Sequence, residues 1–397
     1  MIKVLLIFGT RPEAIKLAPV IKELQSDPAS FKTTICVTAQ HRQMLDQVLN
    51  IFDITTDYDL DIMKDNQSLF NVTADCLKKL EPILKKEKPD IILVQGDTTT
   101  CFIASLAAYY LKIKIGHVEA GLRTTDKFNP FPEEINRRLT DHLADIHFAP
   151  TQKARENLLK EGIPDYKIHI TGNTVIDALL FTIEKQKDEK TQKTLSEELL
   201  NKYGISLDSR KLVLVTGHRR ESFGQEFQNI CHGLKKIALN NKNIQIIYPV
   251  HLNPNVQKPV KKILANVKNI HLIEPLDYFS FIWLLNKSYL ILTDSGGIQE
   301  EAPSLGKLVL VMRRTTERPE GVEAGVAKVI GTSSDSIFSE TTQLLENPPL
   351  YQSMSKASNP YGDGKASKRI CSILEEVFIQ NTTNSINAIN PINENKA

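Results

Sequence analysis

The sequence predicts an α/β protein made of two doubly wound domains, each with a parallel sheet. Short apolar runs recur without alternating polar residues, and each is followed by a Gly, Asp or Ser turn and then a helical period. Strands of that kind are covered on both faces, as in sheets whose crossovers are helices. Length points the same way: 397 residues exceed one ordinary core and suit two domains of roughly 150–200 residues each.

Taken in order, the first-half strands are Lys3–Phe8, Thr34–Thr38, Ile91–Val94, Ile113–Val118, Asp145–Ala149 and Ile168–Ile170. The second-half strands are Leu212–Thr216, Ile244–Pro249, Ile270–Ile273, Leu290–Thr293, Leu308–Val311 and Lys328–Ile330. Between the halves runs a highly charged helical or linker stretch, Glu184–Gly204, which marks the region of the boundary. We expect an N-terminal domain over 1–172, a C-terminal domain over 173–362, and a final helix over 363–380. Residues 381–397 are Asn-rich and lack apolar periodicity, the composition of a disordered tail.

Composition narrows the classes of function. Lys and Arg number 49 against 47 acidic residues, so the net charge is +2 and no broad electrostatic footprint for nucleic acid or an anionic membrane is expected. The five cysteines are scattered without a C-x-x-C and read as buried free thiols. The apolar run at the N-terminus lacks a small-residue cleavage site and reads as a strand. No stretch approaches the ~20 apolar residues of a membrane span. A cytoplasmic protein is expected. Neither G-x-G-x-x-G after the first strand nor G-x-x-x-x-G-K-[ST] occurs, so NAD-type and ATP-type phosphate loops are not supported.

Ligands of open parallel sheets bind beyond the carboxyl ends of the strands. The first strand ends in Gly9-Thr10-Arg11-Pro12-Glu13. Thr10 and Glu13 have capping-box spacing, and Pro12 suits an early helical position. Arg11 has two readings, a solvated charge or a receptor for an anion, because the helix start itself repels a cation. The run through "QGDTTT" puts Asp97 and Thr98 before a helix, and either residue suits an N-cap. "GHVEAGLRT" brings His117, Glu119 and Arg123, and "PFPEEINRR" brings Glu133 and Glu134. Asp97, Glu119 and Glu133 at neighbouring strand ends suit proton transfer, since burial and adjacent negative charge raise carboxyl pKa values.

The second half carries a different set. "TGHRRESFG" places His218, Arg219 and Arg220 after a strand, and "YPVHLNPNV" places His251 likewise. In "TDSGGIQEE", Ser295, Gly296 and Gly297 open a helix whose N–H groups suit a phosphate. Glu301, about a turn further on, suits a ribose. Carboxylates thus crowd the first half and phosphate-suited residues the second, which fits a cleft holding a nucleotide diphosphate whose appended group is the site of chemistry.

The strings "GTRPEAIKLAPVI", "TAQHRQMLDQVL", "QGDTTT", "GHVEAGLRT", "PFPEEINRR", "TGHRRESFG" and "DSGGIQEEAPSLGKLVLVMRRTTERPEG" resemble the bacterial non-hydrolysing UDP-N-acetylglucosamine 2-epimerases. The likeness runs from the first strand to about Ile379. It implies two Rossmann-like domains facing across a cleft, the glycosyltransferase-B-like architecture, with the last helix returning to the first domain. It further implies a homodimer, no cofactor or metal, and reversible conversion of UDP-GlcNAc to UDP-ManNAc, which supplies ManNAc units for surface polysaccharide.

Carried over by motif, Asp97, Glu119, Glu133 and His218 are catalytic, and Arg11, Lys16, Ser295, Gly296, Gly297, Glu301 and Arg318 bind substrate, with Leu276 to Phe281 lining the uracil. The C2 proton has no adjacent carbonyl to acidify it. UDP therefore leaves C1 as that proton leaves, giving a 2-acetamidoglucal, and adds back after C2 is reprotonated on the other face. A second, activating UDP-GlcNAc site of some family members maps to Gln40, His41, Gln43, Glu133, Arg219 and His251. There the family's "IMK-x-RQ" reads "IMKDNQ", so Asn66 stands for an arginine. A hydrolysing 2-epimerase that releases ManNAc, and a glycosyltransferase of the same fold, are the alternatives.

Overall fold

The structure, a computed structural model, describes residues 1–38, 42–62, 67–124 and 126–389. Its strands are β1 (Ile2–Phe8), β2 (Phe31–Val37), β3 (Tyr58–Asp59), β4 (Ile91–Gln95), β5 (Lys114–Val118), β6 (Ile146–Ala149) and β7 (Ile168–Ile170), then β8 (Lys211–Thr216), β9 (Ile244–Pro249), β10 (Ile270–Ile273), β11 (Leu290–Thr293), β12 (Leu308–Val311) and β13 (Ala327–Val329). They form a seven-stranded sheet of order β3-β2-β1-β4-β5-β6-β7 and a six-stranded sheet of order β10-β9-β8-β11-β12-β13. Among the described residues all the pairings are parallel. The expectation of two Rossmann-like doubly wound sheets holds.

The reason is visible strand by strand. Val4 to Phe8, Ile91 to Val94 and Val213 to Val215 are buried on both faces, as continuous apolar runs require. β3 escapes sequence detection because two residues, paired at Cys36↔Tyr58 and Val37↔Asp59, leave no apolar run. Gly121, with φ +88°, follows β5 where a Cβ would stand 2.3 Å from the Ala154 carbonyl oxygen, so no larger residue fits.

The chain divides into two compact units, Met1–Ala178 with Gly362–Ala397, and Leu179–Tyr361. The division at 178 falls a little beyond the expected 172, inside the helix Thr174–Lys185. Its first turn belongs to the first unit because Asp177 accepts hydrogen bonds from the Ser367 N–H (2.8 Å) and hydroxyl (2.6 Å). The stretch Glu184–Gly204 is mostly the helix Glu189–Tyr203, capped by Asp188 and ended by Gly204 in the left-handed region. The final helix runs Ala366–Ile389, longer than the expected 363–380 and into the Asn-rich segment. Residues 390–397 of the expected tail lie outside the described residues.

In both sheets the strand order reverses direction once, between β1 and β4 in the first and between β8 and β11 in the second. Ligands of such sheets bind at these switch points.

Candidate active site

In the first unit, β1 leads into the helix Arg11–Ser26. Glu13 Oε2 accepts from the N–H groups of Gly9 (3.0 Å) and Thr10 (2.8 Å) and from the Thr10 hydroxyl (2.8 Å), so Glu13 builds the helix start. Its other oxygen accepts the Thr98 hydroxyl at 2.6 Å, tying the ends of β1 and β4 together. Burial pushes the Glu13 carboxyl above its ordinary pKa, with these donors acting against it. Arg11 takes no hydrogen bond or ion pair among the described residues, while Lys16, a turn further in, donates to Glu119 Oε1 at 2.5 Å.

After β4 the capping question resolves: Thr98 is the N-cap of the helix Thr99–Tyr110, accepting from Cys101 N–H at 3.1 Å. Asp97 is thereby left outside the cap. Its Oδ2 accepts from Arg137 Nη2 at 2.6 Å and its carbonyl from Asn136 Nδ2 at 3.0 Å. Both donors stand on the helix Glu133–Leu143, which carries Glu133 and Glu134 in its first turn. Glu133 has one buried carboxylate oxygen without a hydrogen-bond partner. Glu134 is fully buried and accepts from Thr124 N–H at 3.0 Å, a structural role.

Glu119 follows β5 with φ +67°, the left-handed region a non-glycine residue enters at a cost of about 1–3 kcal/mol. Its carboxylate accepts from Lys16, from Gln95 Nε2 (2.5 Å) and from Asn173 Nδ2 (3.0 Å). That donor set suits an ionised carboxylate, which is acceptor-only. Asp97 and Glu119 thus each stand beside a cation, Arg137 and Lys16 respectively. Behind them, buried His117 has Nδ1 2.6 Å from Asp141 Oδ1 and Nε2 2.7 Å from the Gly96 carbonyl oxygen, pinning the turn just before Asp97. Burial would raise the Asp141 pKa, yet His117 and Arg123 hold it down to about 2.

In the second unit the switch point is closed by Asp294, whose side chain is fully buried. Its Oδ2 accepts from the N–H groups of His218 (2.7 Å) and Arg219 (2.8 Å). Tyr248 secures the same loop, its hydroxyl donating to the Gly217 carbonyl at 2.8 Å. The His218 and His251 rings stack with centroids 5.4 Å apart and planes 14° apart. Burial lowers the His218 pKa, Asp294 opposes that, and Arg219 and His251 add to it.

Ser295 stands at the N-cap position of the short helix Gly296–Glu301 without a side-chain capping hydrogen bond. A Cβ on Gly296 would stand 3.6 Å from Arg219 Nη2 and 3.8 Å from Arg318 Cζ, so both guanidinium groups flank the helix start, whereas Gly297 opens onto empty space. Arg318 is also paired with Glu300. Glu301 Oε1 accepts the Tyr278 hydroxyl at 3.1 Å, which joins it to the segment of half-buried Leu276 and Phe281.

The structure therefore gathers Arg11, Lys16, Asp97, Glu119 and Glu133 at the strand ends of the first unit. It gathers His218, Arg219, His251, Ser295, Gly296 and Arg318 at those of the second. Gln40, His41 and Asn66 lie outside the described residues, and Gln43 is described only as part of the helix Arg42–Ile51. Sequence reasoning missed Gln95, Asn173 and Asp294, polar residues at strand ends that carried the same positional signal as those it chose. Among the described residues no group of three His, Cys, Asp or Glu could hold a metal ion.

A family model described as "UDP-N-acetylglucosamine 2-epimerase" matches residues 22–375. A UDP-N-acetylglucosamine 2-epimerase of Salmonella typhimurium is 57% identical over 373 residues, covering 94% of this chain and 98% of that protein. The crystal structure of the Neisseria meningitidis UDP-GlcNAc 2-epimerase bound to UDP-GlcNAc is similar, with TM-score 0.88 and 51% identity over 94% of this chain and 100% of that one. The Methanocaldococcus jannaschii enzyme in complex with UDP-GlcNAc and UDP matches with TM-score 0.77 and 36% identity, over 94% and 99% of the chains.

Proposed function

The chain belongs to the UDP-N-acetylglucosamine 2-epimerase family, and on that premise we propose how its residues carry out the non-hydrolysing, reversible interconversion of UDP-GlcNAc and UDP-ManNAc. The observation that carries the reading is the pair of cation-flanked carboxylates: Glu119 on Lys16, Gln95 and Asn173, and Asp97 on Arg137. Held so, they are acceptors fixed in position, Glu119 buried and Asp97 partly exposed, and a fixed base within reach of C2 is what the reaction needs.

The reaction is an elimination and its reverse. As the C2 proton leaves, the C1–O bond to UDP breaks and its electron pair goes with the diphosphate, giving the 2-acetamidoglucal and UDP. Reprotonation of C2 from the other face and return of UDP to C1 give the epimer. Two proton-transfer groups, one for each face, come from Asp97, Glu119 and Glu133. Arg11, His218 and Arg318 offset the charge that gathers on the departing diphosphate, with Ser295, Gly296 and Gly297 supplying backbone and hydroxyl donors. Glu301 accepts from the ribose, and Leu276 to Phe281 line the uracil. The activating substrate site that the resemblance assigns to Gln40, His41, Gln43, Arg219 and His251 is weakened here by Asn66, which stands in place of an arginine.

The protein works as a cytoplasmic homodimer supplying ManNAc units for surface polysaccharide. Support for self-association is the exposed apolar stripe Phe131, Ile135 and Leu139, spaced four apart at and before the helix Glu133–Leu143. Among the described residues no helix is long and apolar enough to cross a membrane. Proton NMR of the enzyme with UDP-GlcNAc in deuterated water tests the reading. Deuterium entering C2 of both UDP-sugars is expected; free ManNAc accumulating with time overturns it in favour of hydrolysis.

A further inference from the structure

We propose that Asp294 is the positioning carboxylate of His218, fixing both the loop that carries the imidazole and the nitrogen on which it holds its proton. The inference rests on the reading of His218 as a cation for the departing diphosphate, and it adds a residue that no motif assigned to the reaction.

Three features converge on it. Asp294 ends β11 and His218 follows β8, the two neighbouring strands between which the sheet order reverses. One carboxylate oxygen is spent on the loop backbone, accepting from the N–H groups of His218 and Arg219. The other, Oδ1, is buried with no hydrogen-bond partner and lies 3.5 Å from His218 Nδ1. A buried carboxylate oxygen left unsatisfied costs free energy, and its placement beside the His218 ring at the switch point gives that cost a use. Hydrogen bonds at catalytic groups are often long without substrate and tighten in its complex.

With Nδ1–H turned to Asp294, Nε2 is the nitrogen left for the substrate. The carboxylate also supports the imidazolium in surroundings that disfavour it: burial, Arg219 beside it and His251 stacked on it all favour the neutral ring. Asp294 is the opposing charge. Without it, the surroundings would hold His218 still further toward the neutral ring, free to take either tautomer.

The test compares Asp294→Asn with His218→Asn in the full-length enzyme. In Asp294→Asn the expected result is a kcat lower by about 10²-fold or more, KM for UDP-GlcNAc within about twofold, and the alkaline fall of kcat/KM moved to lower pH. Unchanged kcat and an unchanged pH profile in Asp294→Asn, with His218→Asn impaired, overturn the proposal alone. A fully active His218→Asn overturns the reading beneath it. Should Asp294→Asn fold poorly, the wild-type enzyme decides: ¹⁵N NMR of labelled histidine, assigned by the signal lost in His218→Asn, is expected to find the neutral ring protonated on Nδ1. The Nε2–H tautomer overturns the proposal.

Discussion

Lys16 Nζ lies 2.5 Å from Glu119 Oε1, joining the first turns of one helix to the end of a strand more than a hundred residues away in the chain. The side chains are 17% and 5% exposed, so the pair is largely desolvated. Breaking such a pair from one side leaves the Glu119 carboxylate without its lysine, with Gln95 and Asn173 still donating to it. Lys16→Met is therefore expected to lower unfolding free energy by about 2–4 kcal/mol, together with a large loss of kcat. Adding Glu119→Gln should restore part of the stability and none of the activity. Denaturant unfolding of the single and double variants checks this; additive losses would show that the pair is not coupled.

Acid stability follows from Asp141. Its carboxyl, ordinarily near 3.8, is held down to about 2 in the folded protein by His117 and Arg123 despite its burial. A depressed carboxyl stabilises the fold above its unfolded pKa, and that contribution is lost as pH falls through the folded one. Between about pH 4 and pH 2 the wild type should lose on the order of 2 kcal/mol from this group, and Asp141→Asn should show a flatter profile from a lower start. Thermal melts across that range, run side by side, give the comparison. Parallel profiles would refute it.

Arg11 takes no ion pair among the described residues, so removing it should spare the fold. Arg11→Ala is expected to weaken UDP binding by about 1.5–3 kcal/mol, roughly 10- to 150-fold in Kd, while the melting temperature holds. Calorimetric titration with UDP measures it. An unchanged Kd would return Arg11 to the status of a solvated charge.

Asn66 stands where the resembled family carries an arginine in its activating site. Losing that cation should weaken substrate activation by about 1–3 kcal/mol. The expected outcome is that UDP-ManNAc turns over with little dependence on trace UDP-GlcNAc. Strong dependence on the trace would contradict it, and Asn66→Arg should then change nothing.

Much of the fold is legible because its signals are local. A strand buried on both faces must be apolar along its length, so every strand shows as a run except β3, which is too short to make one. The helix start at Glu13 likewise follows from neighbours within a turn, whereas the choice of Thr98 over Asp97 as N-cap needed the structure. Partnerships across the sheet do not. Asp294 meets His218 from 76 positions away, and Thr98 meets Glu13 from 85. Only strand order brings such pairs together, and strand order is set by the packing of whole units. For the same reason three acids could be recognised as a set while the cations beside Asp97 and Glu119 could not. The boundary near 178 lies inside a helix, where composition does not change.

The first unit is assembled from both ends of the chain. Gly362 onward returns to it, with Arg369 Nη1 donating to the Thr171 carbonyl at 2.9 Å, Lys114 over the Phe378 ring at 4.8 Å, and Ser367 on Asp177. The second unit, Leu179–Tyr361, is one uninterrupted stretch. On the ribosome it is the unit whose contacts are all available first, although its residues are made second. The carboxylate-bearing half waits for the closing helix, so a stop codon just after residue 361 would leave the second unit whole and the first unfinished.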